Sequence, residues 1–351
     1  MNFVRLGVMW EAVEIAPGVF NETYLDEVDK MVEMLSDHGI YTMVDAHQDV
    51  LAKMICGHGM PNFYAKEIAK GAKCRRWDWK RIMFAGSLNR FGVCKTIDDY
   101  DFETDEDGNP LIRECTKHNF IKYYGLAESL ELFDALYTNK KGLTDKFLVY
   151  WDKLAERFTN NPNIMGFVPL NEPFCSNFMS ELSLMMPKNF DKEKLLPLYE
   201  KVYQVLQKHD KNAVLHFETA QMPNIIGAMN GIVRPVGFDR LPGIDLKTNA
   251  KGNVVAPLSE KHVLHDHFYC CQVHIDMCDQ RGEPKADERS AKLCQSFHHR
   301  RMEQRVKDAK SLNVPLMITE FGACYNTEVC VREINQVLDE SERTLSGWAY
   351  W

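Results

Sequence analysis

Seven short apolar runs, separated by longer stretches of helical periodicity, constrain this chain more than any other feature. Runs rich in Val, Ile, Leu and aromatic residues occur at 3–9, 40–46, 164–170, 213–218, 263–269, 315–321 and 345–351. Between them, 24–38, 121–137, 143–158, 195–209 and 299–312 show apolar residues at three- and four-residue spacing. In the first, Leu25, Val28, Met31, Val32 and Leu35 form one stripe, while Asn139, Gly142, Asn161 and Pro162 supply turn chemistry at helix ends. Strands alternating with helices run parallel, because a parallel neighbour can be reached only by a crossover. With 45% hydrophobic residues and no repeat or low-complexity linker, the chain is expected to form one α/β domain over 1–351. The expected architecture is a (β/α)8 TIM barrel, one strand short of closure. The eighth strand and its helix are expected before Met1, which makes the chain a truncated product or an excerpt.

Two segments exceed ordinary connections. Residues 71–118 are polar and irregular and carry the run Asp98, Asp99, Asp101, Glu103, Asp105, Glu106, Asp107; 223–262 contain four prolines and five glycines. Each follows a strand, so in a barrel each projects over the C-terminal face, where active sites are built. The acidic run is expected to be a solvated tip. A net charge of -8 argues against a nucleic-acid partner, and no apolar run reaches the ~20 residues of a bilayer-spanning helix. The opening Met1-Asn2-Phe3-Val4-Arg5 lacks the regions of a signal peptide. Eleven cysteines without paired CxxC spacing define neither a zinc ribbon nor a closed disulfide framework; reduced thiols and several disulfides plus one free thiol both remain open.

The chemistry gathers at strand ends. The run 164–170 leads into Asn171-Glu172-Pro173, and 315–321 carries Thr319-Glu320-Phe321-Gly322. Two carboxylates at the ends of two barrel strands can face each other across the mouth, as glycoside hydrolysis requires: one proton donor to the leaving oxygen, one nucleophile or base at the anomeric carbon. His265, His267 and Tyr269 share one face of their strand, and Asp45, His47 and Asp49 share another. Arg5 alternates with Phe3 and Gly7 and is costly to bury unless paired. Trp351 offers an aromatic plate for a sugar ring. Glu218, ending another strand, is a third carboxylate, read as structural support.

Arg5-Leu6-Gly7-Val8-Met9-Trp10-Glu11, Asp45-Ala46-His47-Gln48-Asp49, Phe133 to Asn139, Asn171-Glu172-Pro173, His267-Phe268-Tyr269, Thr319-Glu320-Phe321-Gly322 and Gly347-Trp348-Ala349-Tyr350-Trp351 occur in this order. Together they resemble the endoglycoceramidase branch of the family-5, cellulase-like glycoside hydrolases, from first strand to last. Asn-Glu-Pro and Glu-Phe-Gly mark the clan; Asp-x-His-Gln-Asp narrows it to endoglycoceramidases and related glucosylceramide- or sterylglucoside-cleaving enzymes. The resemblance implies a retaining hydrolase acting on glycosphingolipids, with Glu172 as acid/base and Glu320 as nucleophile. It further implies Asn171 at the sugar 2-hydroxyl, and Arg5 and Tyr269 holding the nucleophile. His47, His267 and Trp351 (rather than Trp348) would shape the glycone subsite, with sugar hydrogen bonds from Asp45 and Asp49. The family pattern begins with an earlier strand and continues into a C-terminal β-sandwich. No cofactor or metal is implied.

An apolar aglycone subsite is expected for two lipid chains, with membrane-surface contact on that side of the cleft; Leu130, Phe133, Leu136, Leu182, Leu184, Met185 and Met186 are candidates, against a core reading. A secreted or lysosomal location follows if a leader lies upstream. A rival zinc reading rests on His262, His265, His267, Cys270, Cys271, His274 and Cys278. Barrel amidohydrolases, however, place His-x-His on the first strand, and this one is late. A non-catalytic binding barrel is opposed by the presence of both glutamates.

Overall fold

A computed structural model describes residues 2–73, 95–178, 180–186, 188–220, 233–245, 247–248, 254–255, 257–270, 285–322, 324 and 327–351. Seven strands form one sheet in sequence order: β1 (Phe3–Gly7), β2 (Tyr41–Asp45), β3 (Ile164–Val168), β4 (Leu215–Phe217), β5 (His262–Phe268), β6 (Leu316–Phe321) and β7 (Gly347–Trp348). Every neighbouring pair is parallel. Each expected run contains a strand, trimmed by up to three residues at its ends, except that β5 begins one residue before the expected 263. The sheet curls, since Arg5 on β1 bonds Glu320 on β6. β1 and β7 are its edges among the described residues.

Helices fill the crossovers: α1 (Glu22–Asp37), α2 (Ala127–Thr138), α3 (Leu143–Phe158), α4 (Leu196–His209), α5 (Glu288–Leu312) and α6 (Glu328–Thr344). Asn21 caps α1 by accepting from the Tyr24 amide at 3.1 Å, and Asp287 caps α5 through Ser290 at 2.9 Å. The α1 stripe buries Leu25, Val28 and Val32, while Met31 is exposed. The stretch 121–137 is broken: a 3-10 turn (Phe120–Gly125) precedes α2, and Leu126 between them is extended. Helix α5 starts eleven residues before the expected 299, and α6, which packs Cys330, Ile334, Val337 and Leu338 inward, is absent from the helices expected from sequence. Their inner faces carry polar groups, namely Ser290, His298, Arg301, Arg305, Glu333 and Ser341. Asp266, pointing outward from β5, receives both Arg301 and Arg305 at 2.7 Å, a paired cluster that lets α5 dock without an apolar stripe.

Strand β6 breaks its alternation. Its register against β5 shifts between Ile318 and Glu320, leaving Thr319 as the extra residue. Ile318 and Phe321 pack outward with Phe268, Met302 and Val337, whereas Thr319 and Glu320, adjacent in sequence, both point inward. The bulge is what aims Glu320 into the mouth.

Six of the described cysteines form three bridges, Cys56–Cys115, Cys270–Cys294 and Cys324–Cys330, and Cys175 is free and buried. In the acidic run, Asp105 accepts from Lys53 and Asn109, and Asp99 accepts from the Thr96 amide and hydroxyl. No helix among the described residues is long and apolar enough to cross a membrane.

Candidate active site

The C-terminal ends of the strands bring all ten sequence-predicted residues together. Arg5, only 3% exposed at its side chain, donates from Nη1 to Glu320 Oε2 at 2.8 Å and from Nη2 to Asn171 Oδ1 at 2.6 Å; Nη2 also lies 3.1 Å from Asp45 Oδ2. Burial pulls its pKa down, but Asp45, Glu320, Glu218 and Glu172 outweigh burial and hold it above the ordinary value. Tyr269 Oη donates to the other Glu320 oxygen at 2.7 Å. Burial, then the charge of Glu320, pushes the Tyr269 hydroxyl well above its ordinary pKa, so it remains a donor.

Glu172 lies opposite. Its Oε1 is 2.9 Å from His267 Nδ1, which is also 3.6 Å from Glu320 Oε2. Each of these three side chains places one nitrogen or oxygen within 4.8 Å of the others. Burial, followed by the negative charge of Asp49, raises the Glu172 pKa to about 8, against the opposing pull of Arg5 and His47. The leading charge is thus Asp49. Burial lowers His267 to about 4, so its imidazole is neutral at pH 7.

The backbone of Glu172 sits at φ 39°, a region costly for a side chain with a Cβ. Neighbours hold it there. Its amide donates to Glu218 Oε1 at 2.8 Å, which gives that third carboxylate the supporting role read from sequence. Gln48 Nε2 donates to the carbonyls of Asn171 (2.7 Å) and Glu172 (3.1 Å), and Asn171 Nδ2 returns a bond to the Gln48 carbonyl at 2.9 Å.

The loop after β2 forms the other wall. His47 Nδ1 meets Asp45 Oδ2 at 2.8 Å, and Nε2 lies 3.5 Å from Asp49 Oδ2. Although burial opposes it, bonding to Asp45 and Asp49 raises His47 to about 10, so it is an imidazolium at neutral pH. Burial pushes Asp49 up, but His47 and His58 overcome it and hold the carboxyl below its usual range. The Trp351 ring stacks on His47 with centroids 5.1 Å apart and planes within 6°, and His58 also stacks on His47, at 5.7 Å. Trp348 instead packs edge-on against outward-facing Phe321.

Gln48, His58 and Tyr124 were not assigned site roles from sequence. Gln48 stood inside the Asp-x-His-Gln-Asp pattern, which is a usable signal. His58 arrives only because the loop doubles back, pairing its backbone with Asp49, and Tyr124 reaches Asp49 Oδ1 at 3.3 Å from a distant turn. Five aglycone candidates are corrected: Leu130, Phe133, Leu136, Leu184 and Met185 are buried in the core, their periodicity being that of packing. Only Leu182 and Met186, at 37% and 59% exposure, face solvent. The zinc cluster is divided: His262 is bonded to Ser259 Oγ and the Pro242 carbonyl, and Cys270 is in a disulfide. Cys271, His274 and Cys278 lie outside the described residues.

An endoglycoceramidase of Cyanea nozakii is 24% identical over 351 residues, covering 100% of this chain and 58% of that protein. One of Hydra vulgaris is 26% identical over 354 residues, covering 100% and 56%. The chain therefore spans just over half the length of these relatives. Among solved structures, endo-glycoceramidase II from Rhodococcus sp. in complex with ganglioside GM3 superimposes with a TM-score of 0.69 at 18% identity, covering 100% of this chain and 65% of that one. The cellulase family, glycosyl hydrolase family 5, matches residues 1–84 and 123–351. A curled parallel sheet with paired carboxylates at its strand ends, and that match over most of the sequence, make the chain a member of glycosyl hydrolase family 5.

Proposed function

We propose that this chain is the catalytic domain, over 1–351, of a retaining glycosidase that cleaves the bond between a glycan and ceramide in glycosphingolipids. The observation that carries this reading is that one carboxylate oxygen of Glu172 and one of Glu320 lie within 4.8 Å of each other at the ends of β3 and β6. Retention needs carboxyls only ~5–5.5 Å apart, whereas inversion leaves ~6.5–9.5 Å for a water. The endoglycoceramidases among the relatives, and the lactosyl-enzyme intermediate solved for endo-glycoceramidase II of Rhodococcus sp., support the same assignment.

In this mechanism Glu320, oriented by Arg5 and Tyr269, attacks the anomeric carbon. Glu172, still protonated near neutral pH, gives its proton to the departing ceramide oxygen. Glu172 then takes a proton from water, which attacks the same carbon and releases Glu320. Asn171, aligned by Arg5 and Gln48, donates to the sugar 2-hydroxyl. Asp45, Asp49, His47, His267 and Trp351 bound the glycone, with His47 contributing positive charge. Leu182 and Met186, on the loop following Glu172, are the exposed apolar groups for the lipid side and for contact with a membrane surface. We also take the sheet to be part of a (β/α)8 barrel in which an eighth strand joins β7 to β1. The Trp351–His47 stack, which brings the β7 and β2 ends together, supports that closure.

The test is incubation with a fluorescent ganglioside or glucosylceramide. Intact oligosaccharide plus ceramide marks endo-cleavage, and glucose alone marks the related glucosidase activity. Glu320→Gln should abolish turnover; a variant retaining a near-normal rate would sink the assignment.

A further inference from the structure

The three described disulfides share one location. Cys56 lies two residues before His58, which stacks on His47 and faces Asp49; Cys270 directly follows Tyr269, which bonds Glu320; Cys324 lies four residues beyond Glu320. Their partners are peripheral. Cys115 ends the short helix Ile112–Cys115, Cys294 is in α5, and Cys330 is in the first turn of α6. The Cα atoms are 5.5, 5.1 and 5.7 Å apart, within ordinary bridging distance. Cys270 and Cys294 form a small cluster with Phe297 that is separate from the main core, whereas Cys56 packs against that core. The bridges therefore fasten loops at the mouth to the helices around them.

We propose that these bridges are positioning elements of the site, so that the mouth is assembled for catalysis only in its oxidised form and the protein works in an oxidising compartment. The inference rests on the two-carboxylate reading above. Cys270–Cys294 fixes the residue next to Tyr269 and so sets the hydroxyl that orients Glu320. Cys324–Cys330 anchors the chain leaving the nucleophile's strand. Cys56–Cys115 fixes the loop that carries His58 against Asp49. A dithiol such as dithiothreitol reduces each bridge by two electrons and two protons and closes into its own cyclic disulfide, leaving two thiols that no longer constrain their loops.

The experiment uses the full chain, oxidised and after dithiothreitol, with peptide mass mapping to show the six cysteines alkylated only after reduction. Reduction should lower kcat/KM on a fluorogenic β-lactoside at least ten-fold, while the circular dichroism melt stays cooperative. The paired variants separate the roles. Cys270→Ser with Cys294→Ser should mainly lower kcat and slow labelling of Glu320 by a 2-deoxy-2-fluoro glycoside. Cys56→Ser with Cys115→Ser should mainly raise KM. Activity within two-fold of the oxidised protein after complete reduction overturns the inference alone. Loss of the cooperative melt also overturns it, since the bridges would then hold the fold. An oxidised protein inactive on every β-glycoside refutes the two-carboxylate reading and removes the inference with it.

Discussion

Replacing Gln48 by leucine tests whether Glu172, the proposed acid/base, is held in place or merely happens to lie there. The Gln48 side chain makes three bonds: Nε2 to the carbonyls of Asn171 and Glu172, and Oε1 from the Leu51 amide at 3.0 Å. It thereby ties Glu172, at φ 39°, to Val50 and Leu51, at φ 56° and 63°. Each such conformation costs on the order of 1–3 kcal/mol and persists only where neighbours enforce it. Leucine keeps the volume and removes the bonds. At roughly 0.5–1.5 kcal/mol net per bond, with the stranded carbonyls and amide adding to the loss, the cost is about 2–5 kcal/mol. Unfolding entropy of ~2.1 cal/mol/K per residue gives roughly 0.7 kcal/mol per degree for a chain this long, so Tm should fall by roughly 3–7 °C. Activity should fall further than stability suggests, because a displacement of ~1 Å at the proton donor costs on the order of 10²-fold. Calorimetry and kcat/KM on a β-lactoside, measured well below the variant's Tm, separate the two effects. A Gln48→Leu protein with kcat/KM within three-fold of the parent would refute the reasoning, whatever its Tm.

The basic limb of kcat/KM should fall near pH 8, since Glu172, raised to about 8, is protonated below that pH and loses its donor proton above it. The charge of Asp49 helps keep that proton on, so Asp49→Asn should move the limb to lower pH; a limb that stays put or moves upward would contradict this electrostatic account. Gly322 sits at φ 105°, and a Cβ there would lie 2.3 Å from Tyr350 Cε2 and 3.1 Å from the Trp351 carbonyl. Gly322→Ala should therefore displace the Trp351 plate from His47, raising KM several-fold more than it lowers kcat and shifting the tryptophan emission.

The strands were legible because a run covered on both faces reads as unbroken apolar sequence. The carboxylates were legible because they stand in short motifs directly after those runs. What escaped was whatever depended on a partner from elsewhere. The inner face of α5 is only partly apolar because Asp266 on β5 makes Arg301 and Arg305 suitable core residues, and no local period records that. The bulge at Thr319 escaped for a related reason: strict alternation would send Thr319 and Glu320 to opposite faces, and only the register with β5 brings both inside. His58 and the disulfide pairings depend on how loops double back, which spacing does not encode.

The electrostatics support the opposite parts proposed for two glutamates in one small space. Arg5 commits one nitrogen to Glu320 and the other to Asn171 and Asp45, and acts on Glu172 only through its charge. Tyr269 likewise donates to Glu320. Glu172 meets the Nδ1 of an imidazole that burial keeps neutral, so the nearest polar neighbour offers a hydrogen bond without a full charge. The imidazolium of His47 could in principle offset this, but Asp45 and Asp49 flank it, and Asp49 acts on Glu172 in the opposite sense. Identical side chains at the ends of β3 and β6 are thus separated by which of them receives the buried cation. That assignment follows from placing arginine on β1, across the curled sheet from β6.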